Sequence, residues 1–341
     1  GGLHVPVMAG AMLTEAEGQI RGLITTAGNP VLSAPNGNYM DQALAGLDFM
    51  VCIDIYINET TQHADIILPP TSALEHDHYD LAFHRLAVHN TARFNEAVFE
   101  PDEGTRHDWE IFNELGLAVA ARKGMEVKPL PSPDKLIDRG IQRGPYSAAA
   151  GHELELTLDK IKQHPHGLDI GPLQPSLPER LCTSDGKIRL MADYIVEDLA
   201  RLGDEKQETD KDELLLIGRR HIRSNNSWMH NSHRLVKGKP RWQLLMHPDD
   251  MAAHQLQDQS QVRIRSRVGE VQTQVLASDE VMPGVVSLPH GWGHKRQGVA
   301  LNIAAEQGGV SCNDLTDDKL VDRASGNSAL NGVPVKVFGI Q

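Results

Sequence analysis

LLLIGRRHIRSNNSWMHN, residues 214–231, is the stretch from which the rest of the chain can be read. Its first four residues, Leu214 to Ile217, form an apolar run with the length and composition of a buried strand. Gly218 breaks the pattern, Arg219, Arg220 and His221 follow, and a Ser- and Asn-rich run with Asn225 and Asn226 leads to Trp228 and His230. A buried strand that ends in Gly with cationic and amide side chains presents donors to an anionic ligand. The competing reading is a strand, a polar loop and a solvated basic pair.

The totals narrow the choice. At 341 residues the chain is long enough for two domains, each with its own core. A formal net charge of −13 argues against general binding to nucleic acid or to an anionic membrane. Any anion is therefore held by local donors against an unfavourable overall field. Cys52, Cys182 and Cys312 are far apart and no CxxC occurs, so these residues alone build neither an iron–sulfur cluster nor a Cys-rich zinc site. They read as reduced, buried thiols of a cytoplasmic-type protein. No run of about 18 apolar residues is present, so no membrane span is expected. The chain starts without Met and is expected to be part of something longer, in which case any export signal lies upstream.

Working back toward the first residue, residues 19–28 (QIRGLITTAG) form an apolar, β-branched run closed by Gly28, Asn29 and Pro30. Proline cannot continue a central strand and Gly-Asn supplies a turn. Residues 40–47 predict a short helix that Asp41 could cap. Residues 49–55 (FMVCIDI) give a second strand with Asp54 near its end, and residues 65–68 a third, closed by two prolines. Strands of continuous apolar character separated by helix indicate a parallel α/β sheet, whose ligands sit at the carboxyl ends of the strands. Asn29 and Asp54 fall at two such ends. Asp54 can shape a turn there, or accept from the N–H groups of a guanine edge. The histidines of residues 71–93 (His76, His78, His84 and His89) invite a metal site, but the HxxxH spacing of a helical zinc site is absent, and structural roles are the better reading. Asp108 is the expected N-cap of a helix over residues 109–122. Residues 123–181 are Pro- and Gly-rich connectors around a helical segment near 153–163, residues 181–190 carry a hairpin signal at Asp185–Gly186, and the charged run 201–212 makes a domain boundary.

Beyond that boundary the pattern changes to short strands, expected at 214–217, 243–246, 261–267, 271–277, 285–288 and 333–338. Residues 262–277 alternate in polarity about a Val268–Gly269 turn, as a hairpin does, and Pro248 with two acids opens a short helix. Six strands with little helix predict a small closed barrel. The loops 289–294 and 309–318 connect its strands and could bring Asn313 toward the basic loop after Gly218.

GNPVLSAPNG, DFMVCIDIYINETTQHADIILPPTSALE and HDWEI, followed by LIGRR, HPDD, RIRSRVGEV, MPGVVSLPHGWG and NDLTDD, occur in that order over nearly the whole chain. Together they resemble the molybdopterin oxidoreductases, the group containing formate dehydrogenases, periplasmic nitrate reductases and dimethyl sulfoxide reductase. The resemblance implies an α/β fold in two parts: a parallel-sheet, dinucleotide-binding-like domain over residues 1–212, and a double-psi β-barrel domain over residues 213–341. It implies bis-molybdopterin guanine dinucleotide carrying molybdenum or tungsten, contacted by Gly28, Asn29, Asp54, Asp108, Gly218, Arg219, Arg220, Asn225, Asn226 and Asn313. It also places the metal ligand and a 4Fe-4S cluster in an N-terminal part upstream of these residues. The chain alone is then expected to be inactive. Its expected partners are a small-molecule substrate, that N-terminal part and an electron-transfer subunit. Two other classes compete: a non-catalytic nucleotide-binding or assembly module, and a metallohydrolase built on His76–His89.

Overall fold

The computed structural model describes residues 4–204 and 212–340, so the expected boundary at 201–212 lies mostly outside the described residues. The chain divides into two compact units, Gly1–Ile67 with Met191–Gln341, and Leu68–Leu190.

The first unit opens with helix α1 (Val5–Leu13) and strand β1 (Gly22–Thr26), followed by short helix α2 (Pro30–Ser33), helix α3 (Gly37–Ala45), strand β2 (Phe49–Ile53) and strand β3 (Ile66–Ile67). The three strands lie in the order β1-β2-β3, all parallel, with Gly22 opposite Phe49 and Val51 opposite Ile66. Successive side chains on a strand point to opposite faces, and Leu23, Met50, Cys52 and Ile67 pack with Val31, Met40 and Leu44 of the helices into one apolar layer. Helix α3 begins three residues before the expected start. Its cap is Asn36, in left-handed backbone, whose side chain accepts from the Tyr39 amide. Asp41 lies inside the helix and pairs with His63 and Arg296 instead.

The second unit holds strands β4 (His78–Tyr79), β5 (Thr91–Ala92), β6 (Phe94–Asn95) and β7 (Leu168–Asp169), and helices α4 (Asp108–Arg122), α5 (Pro133–Gln142) and α6 (Leu158–Lys162). Ala92, Phe94, Leu156, Leu158 and Ile161 form its core. Here the sequence reading needs correction. Helix α5 stands where only a connector was expected, started by Pro133 in its first turn. At residues 181–190 only the turn forms, with the Gly186 amide on the Thr183 carbonyl, and no paired strands flank it. Helix α4 is capped by His107 rather than Asp108, because the Glu110 side chain reaches back to the His107 amide and leaves Asp108 in the first turn. Cys182 is exposed, unlike Cys52 and Cys312.

Residues 193–204 return to the first unit as helix α7 (Asp193–Asp204). Six strands then close into a barrel: β8 (Leu214–Arg219), β9 (Leu244–Met246), β10 (Gln261–Arg265), β11 (Glu270–Ala277), β12 (Val285–Pro289) and β13 (Val333–Gly339), in the order β10-β11-β9-β12-β8-β13. Every expected barrel strand is present. Alternation puts Val262, Ile264, Val271 and Val275 inside, where they meet Leu244, Met246, Val286, Leu288 and the valines of β13. Gly218 does not end its strand. Its neighbour Arg219 still pairs with Pro289 of the parallel strand β12, and that pairing carries β8 on into the basic pair.

Leu244 is completely buried at the centre of this barrel core. Leu244→Ala is expected to lower the unfolding free energy by about 2–5 kcal/mol through lost burial and the cavity left behind, as measured by denaturant titration.

Candidate functional site

Strand β1 ends at Thr26, and the chain turns through Gly28 into Asn29, which is buried just before α2. The Asn29 side-chain amide is engaged at both its nitrogen and its oxygen. Its Nδ2 donates to Glu59 Oε2 at 2.7 Å, and its Oδ1 accepts from the Thr60 hydroxyl at 2.8 Å. Asp54 follows β2 and is also buried. One carboxylate oxygen accepts from the Ile55 and Tyr56 amides and the other from Asn58 Nδ2. It shapes the turn, as a strand-end Asp can, but among the described residues no cation is paired with it. Burial pushes its pKa up, outweighing the hydrogen bonds that pull it down. A carboxylate buried without a counter-charge is suited to receive further N–H donors.

At the end of β8 the two arginines differ. Gly218 donates its amide to Asn331 Oδ1 at 2.8 Å. The Arg219 guanidinium turns onto backbone carbonyls, those of Ser287 and Gln243 at 2.7 Å and of Arg241 at 3.3 Å, and burial brings its pKa down to about 10. Arg220 is exposed and donates to Asn226 Oδ1 at 2.6 Å. Asn225 and Asn226 both have left-handed backbone, with φ of 41° and 59°, a conformation asparagine tolerates better than most residues. A β-carbon on Gly291 would run into the Asn226 carbonyl, so only glycine lets the 289–294 loop lie against this turn.

Arg219, Arg223 and Arg241 crowd together. Burial lowers the pKa of His221, and the charges of Arg241, Arg223 and Arg219 lower it further. Among the described residues, neither these three arginines nor Arg220 forms an ion pair. Arg219 is committed to carbonyls and feels the charge of Glu280, so the guanidinium groups left for an anion near this strand end, in a chain of net charge −13, are those of Arg220, Arg223 and Arg241. Their chemistry fits a diphosphate.

Asn313 lies beside Cys312, on which the charge of Arg220 acts. It is buried, donates to the Leu32 carbonyl of α2 at 2.7 Å and accepts from Thr316. The structure thus brings Asn313 to the Asn29 end of the unit. The Arg267–Asp317 ion pair holds the loop there from the β10–β11 turn. Asp108, half-buried at the start of α4, belongs to the other unit.

Three residues that the sequence reading did not select form the most buried polar cluster. The Glu59 carboxylate, with no exposed surface, meets His294 Nδ1 at 2.9 Å. His294 Nε2 lies 3.0 Å from His230 Nδ1, and His230 Nε2 lies 2.9 Å from Ser224 Oγ. The separation of 235 residues between Glu59 and His294 leaves no local signal for the pair. A second network joins Asp41, Arg296 and Asp314, with Arg296 2.7 Å from Asp314 Oδ1. Burial lifts the Asp314 carboxyl to about 6, with Asp41 adding to the rise and Arg296 opposing it.

Residues 2–118 match the molybdopterin oxidoreductase family, and residues 214–334 match the molydopterin dinucleotide binding domain. The probable oxidoreductase YoaE of Bacillus subtilis (strain 168) is 26% identical over 329 residues, covering 95% of this chain and 45% of that protein. The F420-dependent formate dehydrogenase 1 subunit alpha of Methanococcus maripaludis is 25% identical over 314 residues, covering 89% of this chain and 43% of that protein. Acetylene hydratase from Pelobacter acetylenicus superposes with a TM-score of 0.71 at 17% identity, covering 99% of this chain and 46% of that one, a likeness of fold. The chain spans less than half the length of each of these.

Asp314 gives this geometry a pH signature. Its folded pKa of about 6 lies above the ordinary 3.8, so its contribution to stability is fully present below 3.8 and lost as pH rises through about 6. Asp314→Asn removes that dependence. The stability of wild type relative to the variant is expected to fall by on the order of 2–3 kcal/mol between about pH 4 and about pH 7. Denaturant titrations at the two pH values check this, and an unchanged difference would count against it.

Proposed function

Since the chain belongs to the molybdopterin oxidoreductase family, we propose that it is the C-terminal, cofactor-clamping portion of a molybdopterin-dependent, formate dehydrogenase-like oxidoreductase. The cofactor proposed is bis-molybdopterin guanine dinucleotide with molybdenum or tungsten. The observation that carries this reading is the unpaired arginine cluster at the end of β8, set in the segment that matches a molydopterin dinucleotide binding domain. The start of the second family match at residue 214 supports beginning the second part of the chain at residue 213, after a first part over residues 1–212, and six barrel strands support the double-psi assignment of the second part. A small substrate of the formate type is supported by the similarity to formate dehydrogenase alpha subunits.

When bound, the cofactor supplies two-electron chemistry at its metal, which no side chain of this chain can supply. The residues bind and orient. Arg220, with Arg223 and Arg241, neutralises diphosphate charge, and the Asn225–Asn226 turn offers amide groups beside it. Gly218 and Arg219 hold the strand end in shape through Asn331 and three carbonyls. Asp54 receives guanine N–H groups. Gly28, Asn29 and Asn313 form the wall of the α/β side. Asp108 is assigned to the nucleotide on the resemblance alone. The metal ligand, the 4Fe-4S cluster and the contact to an electron-transfer subunit are assigned to the part of the polypeptide that the longer relatives carry and these residues do not include. The free thiols support a reducing, cytoplasmic setting. Among the described residues no helix is long and apolar enough to cross a membrane.

In the full-length enzyme, Asp54→Asn and Arg220→Glu are each expected to lower cofactor content about tenfold or more, the loss of one charge-assisted hydrogen bond. Released pterin fluorescence and guanine nucleotide are the measurements. Unchanged content in both variants favours a non-catalytic module. The purified 341-residue chain is expected to show no molybdenum-dependent turnover, and measurable turnover would show that the chemistry needs nothing beyond these residues.

A further inference from the structure

The contacts from Ser224 through His230 and His294 to Glu59 run unbroken at 2.9, 3.0 and 2.9 Å. All four residues are buried. Glu59 Oε2 also accepts from Asn29, and the His230 ring stacks on Trp292 with centroids 3.9 Å apart. Each contact needs one proton between its two heavy atoms. With Glu59 ionised and His230 neutral, as its burial against Trp292 and beside His294 favours, that requirement permits two arrangements. In the first, Ser224 donates to His230 Nε2, His230 Nδ1 donates to His294 Nε2, and His294 Nδ1 donates to Glu59. In the second, His294 carries both ring protons, His230 carries its proton on Nε2, and the Ser224 hydroxyl accepts from it with its own proton turned outward.

The two arrangements differ by one proton. We propose that Ser224, His230, His294 and Glu59 form a proton-relay site that admits one proton at the Ser224 hydroxyl and stores it as an imidazolium–carboxylate pair at His294 and Glu59. The step balances. A proton from water or from a donor bound over the loop joins Ser224 Oγ, the serine's own proton passes to His230 Nε2, and the Nδ1 proton of His230 passes to His294 Nε2. No other bond changes, and the net charge of the site goes from −1 to zero.

The surroundings suit this division of labour. Burial would raise the pKa of Glu59, but its contact with His294, the charge of that ring and the Asn29 amide hold it below the ordinary range. Burial, then the charge of His294, brings His230 down to about 3. The other groups facing His230 are the Arg241 guanidinium, which opposes its charging, and the Gly291 carbonyl. His230 is therefore a conduit and never a store. Ser224 adjoins Asn225 and Asn226. If the cofactor reading holds, a site that sheds one negative charge beneath that loop offsets one unit of charge arriving there. This last role rests on that reading, whereas the relay itself does not.

The signature is a histidine that changes tautomer without becoming charged. With 15N-labelled histidine in the full chain, long-range 1H–15N correlation from about pH 9 down to about pH 5 spans the range in which histidine pairs exchange protons. The His230 proton is expected to move from Nδ1 to Nε2 in the same step in which His294 gains its second proton. Glu59→Gln is expected to abolish both changes. A His230 that keeps one tautomer throughout, or that becomes charged itself, overturns the proposal. Should Glu59→Gln not fold, Ser224→Ala removes only the hydroxyl. It is expected to slow exchange of the His230 ring protons with solvent about tenfold or more, and unchanged exchange overturns Ser224 as the entry. All of these measurements are made without cofactor, so they fail or succeed independently of the cofactor content of Asp54→Asn and Arg220→Glu.

Discussion

The Glu59 carboxylate, with no exposed surface, is the constraint on which the first compact unit depends. A charge taken that far from water is tolerated only with good hydrogen bonds on both oxygens, and Glu59 obtains them from two distant parts of the chain, Asn29 and His294. Removing either partner would strand a buried charge, which is costlier than the net worth of the contact. The strand end after β1, the turn carrying Glu59 and the barrel loop carrying His294 must therefore arrive together. Further ties repeat the arrangement at lower stakes: Asn313 on the Leu32 carbonyl, Asn36 on Asp318, and Arg296 between Asp41 and Asp314. The α/β segment and the barrel are locked side by side by polar groups rather than by a shared apolar core.

That locking segregates charge. Most cations near the lock are matched, Arg267 by Asp317 and Arg296 by two carboxylates. The arginines after β8 are not. An acidic chain can keep an anion site only by withholding carboxylates from one small region. That Arg220, Arg223 and Arg241 form no ion pair among the described residues is therefore more informative than the overall charge, because exposed charges are screened beyond about 10 Å at ordinary salt and near neighbours dominate.

The sequence made the elements legible where a local pattern fixed them. Continuous apolar runs gave the parallel strands, and alternation gave β10 and β11. Where pairing partners decide the outcome, the local pattern misled. Gly218 looks like a terminator, yet the parallel partner β12 carries the strand past it. Helix α5 was hidden among prolines because Pro133, which would break a helix interior, starts one instead. Asp108 looks like a cap, yet the reach of Glu110 back to His107 moves the cap by one residue. Of the candidate site, the strand-end residues Asn29 and Asp54 and the basic loop could be picked out from strand ends and donor chemistry. Glu59, His230 and His294 could not. Each is unremarkable in its own segment, and their meaning lies in contacts across 64 and 235 residues.

Arg219 and Arg220 show how far one strand position changes a side chain's chemistry. Neighbours on a strand project to opposite sides, so identical residues meet different surroundings. Arg219 is drawn over the barrel wall, where carbonyls of two neighbouring segments use its donors and burial weakens its hold on the proton. It fixes geometry. Arg220 lies in the open beside an asparagine turn, with one contact and no carboxylate. Its remaining N–H groups are available in a fixed plane, which is the property a bidentate anion contact requires. A guanidinium already spent on carbonyls cannot also hold an anion without releasing the barrel, so the two tasks must fall on different residues. The basic pair after Gly218 is a division of labour: one arginine builds the site and the other is free to occupy it.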